Sequence, residues 1–464
     1  MKNQNLICFL KYNEKPQIYS VKNHKKYSPI NAGDNMQEIY YERILDETIE
    51  KRLKMIGAIV IEGPKWCGKT TTAKQHANSI LQLQDPDNRQ NYLELAEIKP
   101  SKLLEGEKPR LIDEWQVAPV LWDAVRTKVD NTPGYGQFIL TGSTSVDNDK
   151  IMHTGTGRMN RITMLPMSLY ESRESNGKIS ILDLFRNPDM DIDGIESDLT
   201  IEELAFATCR GGWPESVIQT DREAQLFVAE NYVDNICKSD ISTVDGVKRD
   251  PDRAKKILRS YARNNSTEAT KQTILKDVRG NYPDMAYSTL DDYLKALSKL
   301  FVTVNIPAWN PNIRSKTAIK SSDKRQFIDP SIATALLNLD PEGLLFDLDT
   351  FGHIFENLCM RDLTAYTSLM GGRVSYYRDR YGLESDCVLT LKNEDYALIE
   401  FKLGSKKIEK GAKNLLKLNK IIKKTIAETD LYLKEPKFLA VITGGKFAHT
   451  RKDGVKVIPI GCLR

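Results

Sequence analysis

The chain has no apolar run approaching the 18 or so residues that a membrane-spanning helix needs, and no basic-then-apolar N-terminal signal. A soluble, cytoplasmic protein with no membrane partner is therefore expected. Its seven cysteines, Cys8, Cys67, Cys209, Cys237, Cys359, Cys387 and Cys462, are scattered without a close pair. That spacing excludes a disulfide framework and offers no zinc ligand set, so a reducing compartment fits. Charge of one sign is not in excess either, since 67 Lys and Arg stand against 63 Asp and Glu for a net +4. The balance is local rather than uniform. Lys402 to Lys424 carries lysines at nearly every turn and almost no acids, while Ile408, Leu415, Ile422 and Ile426 recur at near-helical spacing. The lysines thus line the outer face of a helix, which is either simply solvated or a contact for a phosphate backbone. At 464 residues the chain is expected to hold two or three domains, each able to bury a core without crosslinks.

The most telling segment is GPKWCGKTT, Gly63, Pro64, Lys65, Trp66, Cys67, Gly68, Lys69, Thr70 and Thr71. It follows AIVIE, which reads as a buried strand, and leads into a helix expected from Thr70 to about Ile80. A glycine-rich loop between strand and helix presents backbone N–H groups to phosphates. Lys69 then reaches the β- and γ-phosphates and the Thr70 hydroxyl ligates Mg²⁺, so binding of ATP or GTP is expected. RLIDE, Arg110 to Glu114, is an apolar strand ending in two acids. Asp113 is expected to hold Mg²⁺, and Glu114 to orient or deprotonate the attacking water, which makes hydrolysis the expected chemistry. FILTGS, Phe138 to Ser143, is a further buried strand whose Thr141 or Ser143 could sense the γ-phosphate or only satisfy backbone groups.

Alternating strand and helix signals from residue 40 to 170 imply a parallel sheet in an α/β core. Residues 1–39 are polar, with little periodicity, and read as a tail or an added strand. An Asp-rich stretch, Asn187 to Asp198, reads as a loop, and helices including CRGGWPE complete a lid and linker over 171–250. From 251 to 340 the pattern gives three helices, roughly Arg253–Asn264, Thr270–Arg279 and Tyr287–Leu300, then two apolar runs flanking a basic loop. That order implies a winged-helix module, with Ser288 and Asp291 as a capping box for the third helix. Asp291 and Asp292 there would repel phosphates, whereas Arg314, Lys316, Lys320, Lys324 and Arg325 of the loop could meet a nucleic-acid backbone. Residues 341–464 form the last domain.

From about Tyr40 onward the chain resembles prokaryotic AAA-type ATPases whose C-terminal domain of unknown function looks like a PD-(D/E)xK nuclease fold. The resemblance rests on GPKWCGKTT, RLIDE, FILTGS, TGRMNRITMLPMSLYE from Thr156, GGWPE, IDPSIATALL from Ile328 and GHIFENL from Gly352, in that order. It implies ATP and Mg²⁺ as cofactors. It implies that Arg158, with Arg161 nearby, is an arginine finger acting on its own or a neighbouring subunit, and hence a homo-oligomer. It also implies that Gly212 and Pro214 form a turn placing lid backbone against the nucleotide. Trp66 departs from the family, being bulky where a smaller polar residue is usual.

Near the C-terminus, ESDCVLTL and YALIEFKLG flank the polar turn KNED and read as a hairpin. Glu400 and Lys402 share a face of the second strand, and a three-residue loop puts Asp386 opposite Glu400. With Glu356 these supply acids for one or two Mg²⁺ and a lysine beside the attacking water, the set that phosphodiester cleavage needs. The same residues serve equally in a non-cleaving scaffold for DNA, RNA or a partner protein. The expected protein is an ATP-hydrolysing switch coupled to this nuclease-like module, or a regulatory binding protein in which ATP locks one conformation.

Overall fold

The computed structural model describes residues 40–144, 155–309, 322–428 and 433–464. The expected tail, 1–39, and the loop residues Arg314, Lys316 and Lys320 lie outside them. Among the described residues no helix is long and apolar enough to cross a membrane.

The first layer is built from α1 (Ile44–Leu53), β1 (Ala58–Glu62), α2 (Lys69–Gln75), β2 (Ser79–Gln82), α3 (Arg89–Ile98), β3 (Arg110–Asp113), α4 (Val120–Asn131), β4 (Phe138–Gly142) and β5 (Met159–Thr163). All five strands pair in parallel, in the order β2-β3-β4-β1-β5. The unbroken apolar runs of β1 and β4 are what a sheet covered on both faces requires. Ala58 and Val60 face one cluster with Trp115, Trp122 and Val125, whereas Ile59 and Ile61 face Leu45, Ile49 and Ile139 on the other. The helix expected to run to Ile80 stops at Gln75, and Ser79–Gln82 is an edge strand instead. Here ladder pairing with β3, begun where the Asn78 amide donates to the Pro109 carbonyl at 2.8 Å, overrides helical patterning.

α5 (Ile181–Arg186), α6 (Ile201–Arg210), α7 (Pro214–Ile218) and α8 (Arg222–Asn235) follow, and a π-helical turn, Ile236–Asp240, joins α8 to α9 (Ile241–Thr243). Then come α10 (Pro251–Arg263), α11 (Lys271–Arg279), α12 (Tyr287–Lys299) and an antiparallel ribbon of β6 (Thr303–Ile306) and β7 (Lys324–Phe327). Three helices and a ribbon thus stand where the pattern put them, but two local expectations fail. The residue capping α12 is Ala286, without a side-chain cap, because Asp291 is drawn instead to Lys271 and, at 2.8 Å, Lys295. Asp292 is likewise taken, by Arg249 at 3.0 Å. Lys324 and Arg325 are not loop cations open to a nucleic acid but buried residues of β7. Arg325 donates to the Ala269 carbonyl and to Asn305.

The remainder comprises α13 (Pro330–Leu337), α14 (Pro341–Phe346), α15 (Leu348–Thr367), β8 (Arg373–Arg378), β9 (Glu384–Thr390), β10 (Tyr396–Lys402), α16 (Ile408–Glu428), β11 (Leu439–Thr443), β12 (His449–Thr450) and β13 (Lys456–Pro459). Its strands form a mixed six-stranded sheet in the order β12-β13-β11-β10-β9-β8. One hydrophobic core runs from Leu169 through α6, α8, α10, α12 and α15 to Leu463, and the chain end returns to pair Leu463 with Ile179.

An ionic network lies within that core. Asp329 caps α13 through the Ser331 amide and accepts from the Gly212 amide at 3.0 Å and from Arg361 at 2.8 Å. Arg361 also pairs with Asp362 at 2.7 Å, and Asp362 accepts from the Leu169 amide at 3.0 Å and the Tyr366 hydroxyl at 3.1 Å. Burial pushes Asp362 above the usual carboxylate range despite Arg361, while the two acids hold the guanidinium proton more tightly. Arg361→Ala would leave two enclosed carboxylates without a cation, at a cost of about 3–5 kcal/mol. Urea unfolding should show that loss, and Arg361→Lys should restore only part of it because one ammonium cannot reproduce the guanidinium fork. An unchanged unfolding midpoint in Arg361→Ala would contradict this account.

Candidate functional site

The loop Gly63–Thr70 leaves the C-terminal end of β1, between β4 and β5, and opens into α2. Its two outer glycines are conformationally required. Gly63 has φ 155° and a Cβ there would lie 2.3 Å from the Met164 carbonyl oxygen; Gly68 has φ 97° with Pro214 Cγ 3.3 Å from its notional Cβ. Lys69 is buried and donates to the Pro64 carbonyl at 2.7 Å. The Thr71 side chain faces outward. Sequence reasoning missed Arg43, which fastens the loop from beneath. Its guanidinium reaches the Cys67 carbonyl at 2.9 Å, the Leu165 carbonyl at 2.8 Å and Glu171 at 3.0 Å. No motif flags Arg43, because its partners, two main-chain oxygens and the Glu171 carboxylate, are brought near only by the fold.

The acids of β3 meet the loop from the adjoining strands. The Thr70 hydroxyl donates to Asp113 Oδ1 at 2.7 Å, and the Thr141 hydroxyl to the same atom at 2.5 Å. Glu114 stands in the left-handed region, φ 55°, which turns the chain out of β3, and its amide donates to Thr141 at 3.2 Å. Ser143 donates to Glu114 Oε2 at 3.1 Å, and Gln116 donates to that same oxygen. Both donors sit on one oxygen, leaving Oε1 the freer of the two. Gln116 is a second residue that the sequence did not single out.

The segment from Gly212 to Asp240 touches the loop at several points. Pro214 opens α7 against Gly68, and Gly212 is held by its amide on Asp329 and its carbonyl on the Met167 amide at 2.6 Å. A Cβ at Gly212 would stand 2.1 Å from the Met167 oxygen. Lys65 pairs with Asp240 of the π-helical turn at 2.7 Å. Trp66, in the left-handed region at φ 64°, has its ring 6.0 Å from that of Tyr232 of α8, which lies 4.2 Å from Trp213. Arg158 is elsewhere. It precedes β5, whereas the loop follows β1, so a strand length of roughly 16 Å separates them, and the exposed side chain pairs with Asp130 at 2.6 Å beside a cleft of about 380 Å³. That geometry offers Arg158 no place at its own loop. Arg161 pairs with Glu62 at 2.6 Å and lies over Trp122.

At the other end of the chain the hairpin register Tyr396↔Thr390 to Ile399↔Cys387 carries on to bring Asp386 into line with Glu400. Asp386 Oδ2 accepts from Lys402 at 2.8 Å and from the Phe401 amide at 2.9 Å, and Lys402 also meets Glu400. Glu356 of α15 is paired with Lys324 at 2.8 Å, and that ammonium stands 3.8 Å from Asp386. All four predicted residues therefore converge, joined by a fifth, Lys324, supplied by β7. The expected Mg²⁺ ligands are thus engaged by ammonium groups, and among the described residues no group of three or more His, Cys, Asp or Glu is arranged to hold a metal ion. Lys324 faces two carboxylates, which together outweigh its burial and raise its pKa. Glu356 faces one adjoining ammonium and the negative Asp386, so burial wins and pushes it up to about 7. Glu400, buried beside Asp386, rises to about 8, whereas two lysines and an amide hold Asp386 down at about 2.

Residues 56–172 match the family described as AAA domain. Residues 201–343 and 351–463 match two domains of unknown function, DUF8612 and DUF4143. The uncharacterized proteins Mb2031c of Mycobacterium bovis and Rv2008c of Mycobacterium tuberculosis are each 21% identical over 418 residues, covering 89% of this chain and 82% of theirs. Among solved structures, the Walker-type ATPase PABY2304 of Pyrococcus abyssi is similar at a TM-score of 0.40 and 14% identity, over 65% of this chain and 97% of that one. The signal transduction ATPase PH0952 of Pyrococcus horikoshii, with a tetratricopeptide repeat sensor, gives 0.24 and 13% identity, over 74% and 52%. With scores this low, the likeness that counts for the core is the match to the AAA domain family, with which its parallel strand order and its glycine-rich loop agree.

The C-terminal carboxylates make stability depend on pH. Glu356 and Glu400 have folded pKa values above the ordinary one of about 4.5, so between that value and about 7 to 8 the folded chain keeps protons that the unfolded chain has released. Stability contributed by these two groups is complete below the window and lost as pH rises through it. Asp386 acts oppositely, its contribution being present above about pH 4 and lost toward pH 2. Urea midpoints for wild type and Glu356→Gln at pH 5 and pH 8 test this. The variant should lose less stability between them, by on the order of 3 kcal/mol, and parallel profiles would refute the assignment.

Proposed function

We propose that this protein is an ATP-hydrolysing AAA-type switch whose nucleotide state is passed through the lid to its C-terminal α/β module. The observation that carries the reading is the meeting of Thr70 with Asp113, with Glu114 one residue further on, at the C-terminal ends of β1 and β3. The donors present, a hydroxyl and a carboxylate oxygen, suit Mg²⁺. Thr70 and Asp113 would hold it, and when bound it neutralises charge on the β- and γ-phosphates. Lys69 and the loop amides bind the same phosphates, from Gly63 through Thr71. Glu114 accepts the proton of the attacking water at its freer oxygen, held in orientation by Ser143 and Gln116. Gly212 and Pro214 bring lid backbone to the loop, and the Lys65–Asp240 and Trp66–Tyr232 contacts tie loop conformation to α8.

The position of Arg158, outward and far from its own loop, supports a role at the site of a neighbouring subunit, which makes the working form a homo-oligomer. For the last module we favour a non-cleaving scaffold of PD-(D/E)xK-like build over a nuclease. The reason is that Lys324 and Lys402 occupy the oxygens of Glu356 and Asp386 that a catalytic metal would need. The module preceding it, 251–340, has the element order of a winged helix, but with its acids and β7 cations engaged internally it reads as a coupling piece. The described cysteines, all free and buried, suit a reducing cytoplasm.

Calorimetry with ATP and Mg²⁺ should show binding that Lys69→Ala abolishes, while Glu114→Gln keeps binding and slows phosphate release by ~100-fold or more. Binding undiminished in Lys69→Ala would sink the site. The arginine is tested by complementation. Arg158→Ala alone should be nearly inactive, and mixing it with inactive Lys69→Ala subunits, which still carry Arg158, should bring turnover back in part; a mixture no more active than its components would rule out action between subunits.

A further inference from the structure

We propose that the outer face of α16 binds the phosphate backbone of duplex DNA, an inference that rests on the reading of the C-terminal module as a binding scaffold and names its partner. Lys410, Lys413, Lys417, Lys420 and Lys424 recur at alternating steps of three and four, which sets them in one line along a helix. All five are exposed, while Ala412, Leu415, Leu418 and Ile422 are buried behind them. The line extends over about 21 Å at 1.5 Å per residue, a length along which duplex DNA presents roughly a dozen phosphates. Among the described residues, little neutralises it. Lys413 and Lys424 have exposed pairs with Glu409 and Glu428 at 3.3 and 3.8 Å, which cost little to exchange. Lys410, Lys417 and Lys420 form no ion pair among the described residues.

The chemistry of the face selects the occupant. α16 contains no aromatic residue, so it offers no platform on which unpaired bases could stack. Its apolar side is spent on the sheet apart from the partly exposed Ile421, a single side chain and too little apolar area to insert into a lipid surface. Ammonium groups alone contact phosphates, whereas duplex RNA is recognised largely through 2′-hydroxyls across its minor groove. The face is also rigidly mounted. Gly411 lets the first turn press onto the carboxylate cluster, its notional Cβ lying 3.3 Å from Glu400 Cβ and 3.4 Å from the Lys402 side chain. The lysines thus stand on a fixed element, as a backbone track requires.

The test is fluorescence anisotropy of the full chain with a labelled duplex of about 30 base pairs, between about 50 and 200 mM salt. Wild type should bind with an affinity that falls steeply with salt. The triple variant Lys410→Ala, Lys417→Ala, Lys420→Ala should bind at least ~10-fold more weakly at the lower salt, with the log–log salt slope smaller by about 2 to 3. A control triple on the first layer, Lys54→Ala, Lys99→Ala, Lys128→Ala, should change neither quantity. Phosphate release by the α16 variant without DNA should equal that of wild type, which separates lost DNA contact from lost folding. Absence of phosphate release in wild type would defeat the ATPase reading and leave the DNA result standing. The proposal is overturned if wild type does not bind the duplex at low salt. It is equally overturned if the triple variant keeps wild-type affinity and slope, or if single-stranded DNA, duplex RNA or phosphatidylserine vesicles are bound in preference.

Discussion

A guanidinium enclosed between two carboxylates, Arg361 between Asp329 and Asp362, is the contact on which the arrangement of the rest depends. A buried ion triad is not in itself a large stabilising term, since desolvation offsets much of its attraction. What it supplies is direction. Asp329 must also receive the Gly212 amide and Asp362 the Leu169 amide, and a buried amide left without an acceptor is costly. The triad therefore fixes where the Gly212 turn and the segment at Leu169 lie relative to α13 and α15. Trp213 adds a further tie, donating from its indole to Ser331 at 3.0 Å. GGWPE and IDPSIATALL, far apart in sequence, are two halves of this one contact.

The same construction would, under the proposed function, give nucleotide binding a mechanical consequence. The phosphate loop is fastened below by Arg43 and above by Lys65 and Trp66, whose partners Asp240 and Tyr232 belong to α8 and the turn that follows it. Trp213 packs on Tyr232, so the ring contacts lead from the loop directly to the buried triad. Under the proposed function, phosphates arriving at the loop would compete with Asp240 for the Lys65 ammonium. The π-helical geometry of Ile236–Asp240, a form common at functional positions, is what brings Asp240 into reach.

In the C-terminal sheet the electrostatics are divided by geometry. Asp386 receives two lysines and a backbone amide and stays ionised, while Glu400, on the neighbouring strand with fewer donors, is driven toward its neutral form. Lys324 enters this cluster from β7, a strand of the preceding module, so the ribbon and the last sheet share one set of charges. The consequence is a seam between two modules rather than an open metal site.

The sequence by itself determined the local structure that lies in short, contiguous patterns. The loop from Gly63 to Thr71, the acids at the end of β3 and the hairpin register of Asp386 with Glu400 were all legible, because strand period and loop composition are local properties. The unbroken apolar strands also gave the parallel sheet, since both of its faces had to be covered. What only the tertiary structure decided are the long-range partners. Arg43 under the loop, Lys324 in the acid cluster and Asp240 on Lys65 are single charged residues without a motif, meeting partners 24 to 175 positions away. Competition between local and distant contacts settled the rest. Ser79–Gln82 became a strand because β3 offered a ladder, and Asp291 left its expected capping role because Lys271 and Lys295 offered charge. Periodicity reports which face of an element is apolar, and it contains no information about which other element will supply the opposite charge.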